Sequence, residues 1–352
     1  MTESMKTSTG NFFEDFRLGQ EIRHATPRTV TQGDVALYTG LFGARFPVPN
    51  SDPFARSIGY PRAPVDDLLV FHIVFGKSVP DVSLNAVANL GYAEARFLAP
   101  VLPGDTLTAS STVIGLKENS SRETGVVYVR TVGVNQHRET VLDYVRWVMV
   151  NKRDKTARIA EERVPEIAPV VAPDALRLPR ALDCRLYDNV LAGSVHRWAD
   201  YATGERIDHV DGVTVEEAEH MIATRLYHNT ARVHFNAHAA KASRFGRRLI
   251  YGGHVISIAR ALSFNGLGNA FRVLAINAGR HVNPLFAGDT VHAWSEVLDS
   301  APLPAHGDVA ALRIRTVATK DKPCADFPDK GVDGKSDPAV LLDLDYWVAM
   351  PR

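Results

Sequence analysis

Pro100-Val101-Leu102-Pro103-Gly104-Asp105-Thr106 returns later in the chain as Pro284-Leu285-Phe286-Ala287-Gly288-Asp289-Thr290, an offset of 184 residues. The match widens in both directions. Arg96 falls on Arg280, Val129-Arg130-Thr131-Val132 recurs as Ile314-Arg315-Thr316-Val317, and Val141-Leu142-Asp143 with Trp147 recurs as Leu341-Leu342-Asp343 with Trp347. Upstream, Glu14-Asp15-Phe16, Gly19, Ile22 and His24 pair with Ala199-Asp200-Tyr201, Gly204, Ile207 and His209. A nearly constant offset over so many matches marks one structural unit duplicated and fused. Residues that the copies share then belong to the fold, and residues that they do not share mark the chemistry.

Each copy carries the same pattern of elements. A short aromatic-acidic segment and an alternating strand lead to a first helix, capped by Thr31 and Asp34 in copy one and preceded by Thr214 in copy two. A long apolar helix follows, Leu68 to Gly76 and Val255 to Phe264. Four alternating stretches then read as strands: residues 88–98, 106–116, 126–134 and 140–150, with counterparts between 273 and 350. One helix and an antiparallel meander, repeated, predict an α+β fold in which each copy curves its sheet around a central helix. The two sheets pair edge to edge, which covers strands that would otherwise invite association. The expected division is residues 1–153 for the first repeat, 154–183 for a Pro-rich linker and 184–352 for the second repeat. The Asp/Lys/Gly-rich insert at 320–338 reads as a solvated loop.

Composition narrows the class of partner. The 352 residues are 45% hydrophobic, and 40 basic residues balance 40 acidic ones, so no overall field draws the chain to nucleic acid or an anionic membrane. No stretch approaches the roughly 18 consecutive apolar residues of a membrane span, and the Thr/Ser-rich first ten residues hold no apolar run. Cys184 and Cys324 lie in loop-like sequence without metal spacing, which fits a reducing cytosol. A cytoplasmic, unprocessed protein without nucleic-acid or membrane partners is expected.

The copies part company after the first helix. Copy one reads Ala44-Arg45-Phe46-Pro47 where copy two reads Ala231-Arg232-Val233-His234, and Asn229 has no polar counterpart. Copy two alone places Gly252-Gly253 ahead of its long helix, over Val65-Asp66. Imidazole accepts and returns a proton near neutral pH. An amide orients a water or the imidazole, and N–H groups at a glycine-opened helix start can stabilise an enolate oxygen. The three suit proton chemistry beside a thioester carbonyl. Plainer readings stand beside these: His234 as a structural hydrogen-bonder, the glycine pair as a tight turn. His228, His238 and His254 lack a carboxylate or Cys companion at ligand spacing and read as solvated or core residues rather than a metal site.

On these residues the chain resembles the MaoC-like family of R-specific enoyl-CoA hydratases, whose hot-dog fold wraps a sheet around a long helix. The family motif Asp-x-Asn-Pro-(Ile/Leu)-His overlies Asn229, Thr230, Ala231, Arg232, Val233 and His234. Gly252 overlies the oxyanion-hole glycine, with Tyr251 in place of the family's preceding His and Gly253 matching only with one inserted residue. Within the family the chain looks most like the branch of mesaconyl-CoA hydratases, also called beta-methylmalyl-CoA dehydratases.

The resemblance implies a cytosolic hydro-lyase on an acyl-CoA without further cofactor, since CoA enters as part of the substrate. It implies His234, Asn229 and Gly252 as catalytic residues, with Arg232, Gly253 and Tyr251 binding substrate. Asn229 stands where the family has a carboxylate base, so His234 handles the proton while Asn229 positions the water. Arg232 either clamps a second substrate carboxylate or makes a salt bridge within the fold, as Arg45 would at the same place in copy one. Two other functions stay open: a hot-dog thioesterase using Asp66 or Asp67, which otherwise cap a helix, and a non-catalytic acyl-thioester-binding protein. A fused pair is complete by itself or pairs again as a homodimer.

Overall fold

In a computed structural model that describes residues 6–331 and 333–352, ten antiparallel strands form one continuous sheet. Residues 1–5, half of the Thr/Ser-rich start, lie outside the described residues. Copy one contributes β1 (Glu21–Thr29), β2 (Ala86–Phe97), β3 (Thr106–Glu118), β4 (Thr124–Val134) and β5 (Thr140–Asn151). Copy two contributes β6 (Arg206–Thr214), β7 (Arg272–His281), β8 (Thr290–Leu303), β9 (His306–Lys320) and β10 (Val340–Pro351). The spatial order β1-β3-β4-β5-β2-β7-β10-β9-β8-β6 is the same half-sheet written forwards and then backwards. The halves join where β2 pairs antiparallel with β7, Tyr92 opposite Gly279 and Arg96 opposite Ala275. Edge-to-edge pairing is therefore how the two repeats meet.

The major helices are α1 (Gln32–Phe42), α2 (Asp67–Ser78), α3 (Glu217–Leu226) and α4 (Gly252–Leu262). Apolar side chains on every side of α2 and α4 are buried, as expected of helices enclosed by a sheet. Both lie in one apolar cluster with the inward faces of the strands, and that cluster runs across the β2–β7 junction. Thr31 and Asp34 close a reciprocal cap at the start of α1, Asp34 N–H on Thr31 Oγ1 at 3.1 Å and Thr31 N–H on Asp34 Oδ2 at 2.7 Å. Thr214 does not cap α3. It ends β6, and its hydroxyl meets Thr290 at 2.9 Å just as Thr29 meets Thr106 at 2.7 Å.

The repeated turn that opens β3 and β8 does identical work in both copies. The Asp105 carboxylate accepts the Leu102 N–H at 2.7 Å, and the Asp289 carboxylate accepts the Phe286 N–H at 2.9 Å. The backbones of Gly104 and Asp105 bond to Val30, and those of Gly288 and Asp289 to Val215, tying each turn to the segment before its first helix. Gly104 and Gly288 sit at φ +107° and +94°, where a side chain would be strained. The shared charges are also structural. Arg96 and Arg130 converge on Asp143 at 2.6 and 2.8 Å, and Arg315 and Arg280 on Asp343 at 2.8 and 3.6 Å.

Two connecting stretches are docked on the sheet. Residues 154–183 run extended, pairing Arg163 with Leu116, and bury Val171, Leu176 and Leu182 in a second apolar cluster. The Trp347 indole N–H donates to the Val171 carbonyl at 3.0 Å. The insert at 320–338 is not simply a solvated loop: Phe327 packs on Trp294, whose indole N–H donates to the Pro328 carbonyl at 2.9 Å. Aromatic anchors explain the difference, since Phe327 and the buried Cys324 offset the insert's polar composition.

Candidate active site

α3 ends in a turn that the sequence does not announce with glycine. His228 takes φ +54°, its N–H bonds to the Arg225 carbonyl at 3.1 Å, and the Asn229 N–H bonds to the Thr224 carbonyl at 2.9 Å. This pair of bonds is a Schellman stop, and it fixes the backbone of Asn229. Copy one's α2 abuts the same turn. A Cβ at Gly76 would stand 1.8 Å from the Tyr227 carbonyl oxygen, so only glycine lets the helix approach there.

Asn229 is buried, and its Oδ1 accepts the Ala231 N–H at 3.3 Å. That contact leaves Nδ2 as the free end of the amide, and no protein group satisfies it. Unpaired buried donors are costly, so a donor kept here is available to a guest oxygen.

His234 lies on a short helical turn, Arg232–Phe235, held to the following segment by the Leu249 N–H on the Val233 carbonyl at 3.0 Å. Its Nδ1 is 2.8 Å from the Leu249 carbonyl oxygen. A carbonyl only accepts, so Nδ1 carries the proton and the neutral ring presents a bare Nε2. Burial pushes the His234 pKa down to about 4, so at neutral pH the ring is an unprotonated base.

Tyr251 stands at the N-terminal boundary of α4, its ring 5.6 Å from that of His234. Its N–H donates to His220 Nε2 at 2.9 Å. Gly252 and Gly253 open α4, where the first N–H groups have no intrahelical acceptor and the helix dipole is positive. Both are packed: a Cβ on Gly252 would lie 2.4 Å from the His281 ring, and one on Gly253 2.4 Å from the Tyr251 ring and 2.6 Å from His72. The glycines therefore do more than make a tight turn. They let a wall of imidazoles and phenols pack directly against the start of α4.

That wall was missed in the sequence. His72 Nε2 meets Ser257 Oγ at 2.8 Å, which also meets the Tyr38 hydroxyl at 2.8 Å, and His281 Nε2 meets the Tyr92 hydroxyl at 3.2 Å. His72, Tyr38 and Tyr92 come from copy one, so the region around His234 is built by both repeats. The signal was the repeat itself: the offsets that pair the copies put Ala259 over His72 and Phe97 over His281. His254 is a core residue against His220 and Phe42, whereas His228 and His238 are exposed.

Arg232 is exposed, and its Nη1 donates to Asn85 Oδ1 at 3.2 Å, a neutral partner in copy one. No salt bridge of Arg232 occurs among the described residues. Arg45 likewise makes none; its guanidinium lies 4.6 Å from the centre of the Phe264 ring. Asp66 and Asp67 are occupied structurally. Asp66 caps α2 through the Leu68 N–H at 2.8 Å, and Asp67 pairs with Arg272 at 3.3 Å and accepts the Val273 N–H at 3.1 Å. A small pocket lies beside them, lined also by Tyr60 and Arg260. It occupies in copy one the place that His234 and Gly252 hold in copy two, and it offers no His.

Known proteins resemble this chain along nearly its whole length. The family model described as mesaconyl-CoA hydratase matches residues 2–326. The chain is 62% identical to the beta-methylmalyl-CoA dehydratase of Chloroflexus aurantiacus over 349 residues, 99% of each chain. It is 62% identical to the mesaconyl-CoA hydratase of Cereibacter sphaeroides over 348 residues, 99% of this chain and 100% of the relative. A solved MaoC domain dehydratase from Chloroflexus aurantiacus superposes with a TM-score of 0.97 at 62% identity, covering 99% of both chains. A Mycobacterium tuberculosis protein described as a double hot-dog shares the fold at TM-score 0.72 and 24% identity, covering 97% and 98%. A continuous double hot-dog sheet, and family and sequence matches that run nearly end to end, place this chain in the mesaconyl-CoA hydratase family of MaoC-like hydro-lyases.

Proposed function

We propose that the chain reversibly hydrates mesaconyl-CoA to beta-methylmalyl-CoA, with His234, Asn229 and Gly252 carrying the reaction. The observation that supports this most is the tautomer of His234, which leaves Nε2 bare and unprotonated at neutral pH. A water donates one hydrogen to that nitrogen while its oxygen accepts a hydrogen bond from Asn229 Nδ2. As His234 takes the proton, the water oxygen bonds to the β-carbon of the enoyl group. The electron pair of the double bond moves onto the thioester as an enolate, which the Gly252 N–H and the α4 dipole stabilise. The proton then returns from His234 to the α-carbon, so one H and one OH have been added and the residues are restored. Dehydration is the same path reversed.

Tyr251 and Gly253 shape the wall of the site, and copy one supplies much of that wall rather than a second set of catalytic groups. Arg232, exposed beside the site, belongs to its mouth, where the CoA portion of the substrate meets solvent. Thioester cleavage would need a free carboxylate, and Asp66 and Asp67 are committed to a helix cap and an ion pair. The test is to follow the enoyl-thioester absorbance of mesaconyl-CoA with a thiol reagent in parallel. Loss of absorbance without thiol release is expected. Thiol release would transfer the chemistry to a thioesterase, and binding with no turnover would leave a non-catalytic acyl-CoA protein.

A further inference from the structure

Arg146, on β5, is fully buried and has no carboxylate among its hydrogen-bond partners. Its Nη2 donates to Ser78 Oγ at 2.8 Å, both terminal nitrogens reach Ser83 Oγ only at 3.5 Å, and Nε has no partner. The guanidinium lies 4.2 Å from the centre of the Phe75 ring. The titratable groups that act on it are the phenols of Tyr144, Tyr92 and Tyr251. Other arginines of the sheet are neutralised: Arg96 and Arg130 by Asp143, Arg313 by Asp345, Arg315 by Asp343 and Asp329. Serine hydroxyls, a ring face and the carboxyl end of α2 offset only part of the cost of burying a guanidinium.

The position of Arg146 gives that charge a use. It stands directly opposite Tyr92 across the β5–β2 pair, and the Tyr92 hydroxyl meets His281, the ring that fills the space beside Gly252. On its other side Phe75 packs on Tyr251 at 5.4 Å, and Tyr251 on His234 at 5.6 Å. Arg146 is thus joined to the proposed oxyanion donor through Tyr92 and His281, and to the proposed base through Phe75 and Tyr251, two ring side chains of one wall in each case. Copy two has Tyr346 at the equivalent position, so the charge, like His234 and Asn229, is one of the features the repeats do not share.

We propose that Arg146 is the specificity residue for the substrate's second carboxylate: it holds the inner end of the acyl site positive, so that an acyl chain ending in a carboxylate is preferred over an apolar one. This rests on the acyl-CoA reading above and deepens it. A guanidinium matches a carboxylate in two parallel hydrogen bonds, and its free Nε and weakly bonded Nη1 are the donors still available.

The experiment compares Arg146→Met and Arg146→Lys with wild type, using kcat/KM for mesaconyl-CoA against crotonyl-CoA and melting curves for each protein. The mesaconyl-to-crotonyl ratio is expected to fall about 100-fold in Arg146→Met, mainly through KM, and about tenfold in Arg146→Lys, which keeps the charge but not the fork. Equal loss on both substrates would overturn the proposal and leave Arg146 a structural cap of α2. Should Arg146→Met not fold, the lysine variant decides by the same ratio. Binding separates this inference from the reaction itself. If wild type hydrates neither substrate, succinyl-CoA should still raise the Tm of wild type more than butyryl-CoA does, and Arg146→Lys should shrink that difference. Equal shifts by the two thioesters in wild type would overturn the proposal on their own.

Discussion

The His234 Nδ1 and the Leu249 carbonyl oxygen, 2.8 Å apart, decide which nitrogen of the ring can do chemistry. Because the carbonyl can only accept, the proton is held on Nδ1 and Nε2 is left as the basic nitrogen. Burial, which lowers the pKa to about 4, keeps it unprotonated across the neutral range. A neighbouring carboxylate would raise that value; Asn229 does not. In the proposed mechanism the pair is therefore a base, His234, and a neutral donor, Asn229.

Asn229→Asp should therefore fail to restore a stronger catalyst. It replaces the unpaired Nδ2 donor with an acceptor and buries a carboxyl group in the same position. A loss of at least about tenfold in kcat at pH 7 is expected, given the usual contribution of a positioned group to proton chemistry. A rise in kcat would show that the amide stands in for a carboxylate and does not work as a donor.

Gly252→Ala sets a methyl group 2.4 Å from the His281 ring. The variant should lose about 1–3 kcal/mol of stability, the usual result of overpacking, and most of its activity. Gly252→Ala combined with His281→Ala removes the colliding ring, so its melting temperature should exceed that of Gly252→Ala. A double variant that melts lower would mean that the glycine is required for another reason.

Acid should destabilise the fold early. Burial lowers the pKa of His72 and His254 to about 3 and of His281 and His234 to about 4, and it lowers His220 as well, all from 6.5. The unfolded chain takes up protons below pH 6.5 that the folded chain refuses, so stability is fully present above that pH and is lost as pH falls toward the folded values. Each such group contributes about 1.4 kcal/mol per pH unit within that window. Asp66 and Asp67 act in the opposite direction, burial raising Asp67 to about 6, but they are two groups against seven lowered histidines, His209 and His228 included. Urea midpoints should drop steeply between pH 6.5 and 4.5. A flat profile there would mean that the histidines are hydrated and titrate normally.

Most of the fold was legible because its determinants are local and repeated. The Gly-Asp-Thr turn, the alternation of the strands and the capping of α1 by Thr31 and Asp34 each depend on residues close in sequence. The copy contrast also singles out His234, Asn229 and Gly252 as candidates, since copy one has Pro47 and Val65 in place of His234 and Gly252. What could not be read was spatial. Nothing local to His72 or Tyr92 says that copy one lends them to the other repeat's site, because the β2–β7 junction that brings them there joins residues far apart in the chain. The αL turn at His228 was hidden for a different reason: it lacks the glycine that usually marks one.

Arg232 illustrates the same limit. Adjacency to His234 in sequence suggested a carboxylate clamp, yet the side chain is exposed and bonded to Asn85. Arg232→Ala should therefore change KM for mesaconyl-CoA and crotonyl-CoA by similar factors, within about threefold of each other, as expected of an exposed charge at the mouth of a site. A loss confined to mesaconyl-CoA would return the clamp to Arg232.

The most direct test follows the decay of enoyl absorbance with mesaconyl-CoA for wild type and His234→Ala side by side, at pH 7.5 where both are predicted to be folded. Wild type should consume the enoyl thioester, and His234→Ala should do so about 10²- to 10⁴-fold more slowly with a native circular dichroism spectrum. A folded His234→Ala protein that hydrates mesaconyl-CoA at the wild-type rate would contradict the assignment of His234 as the base.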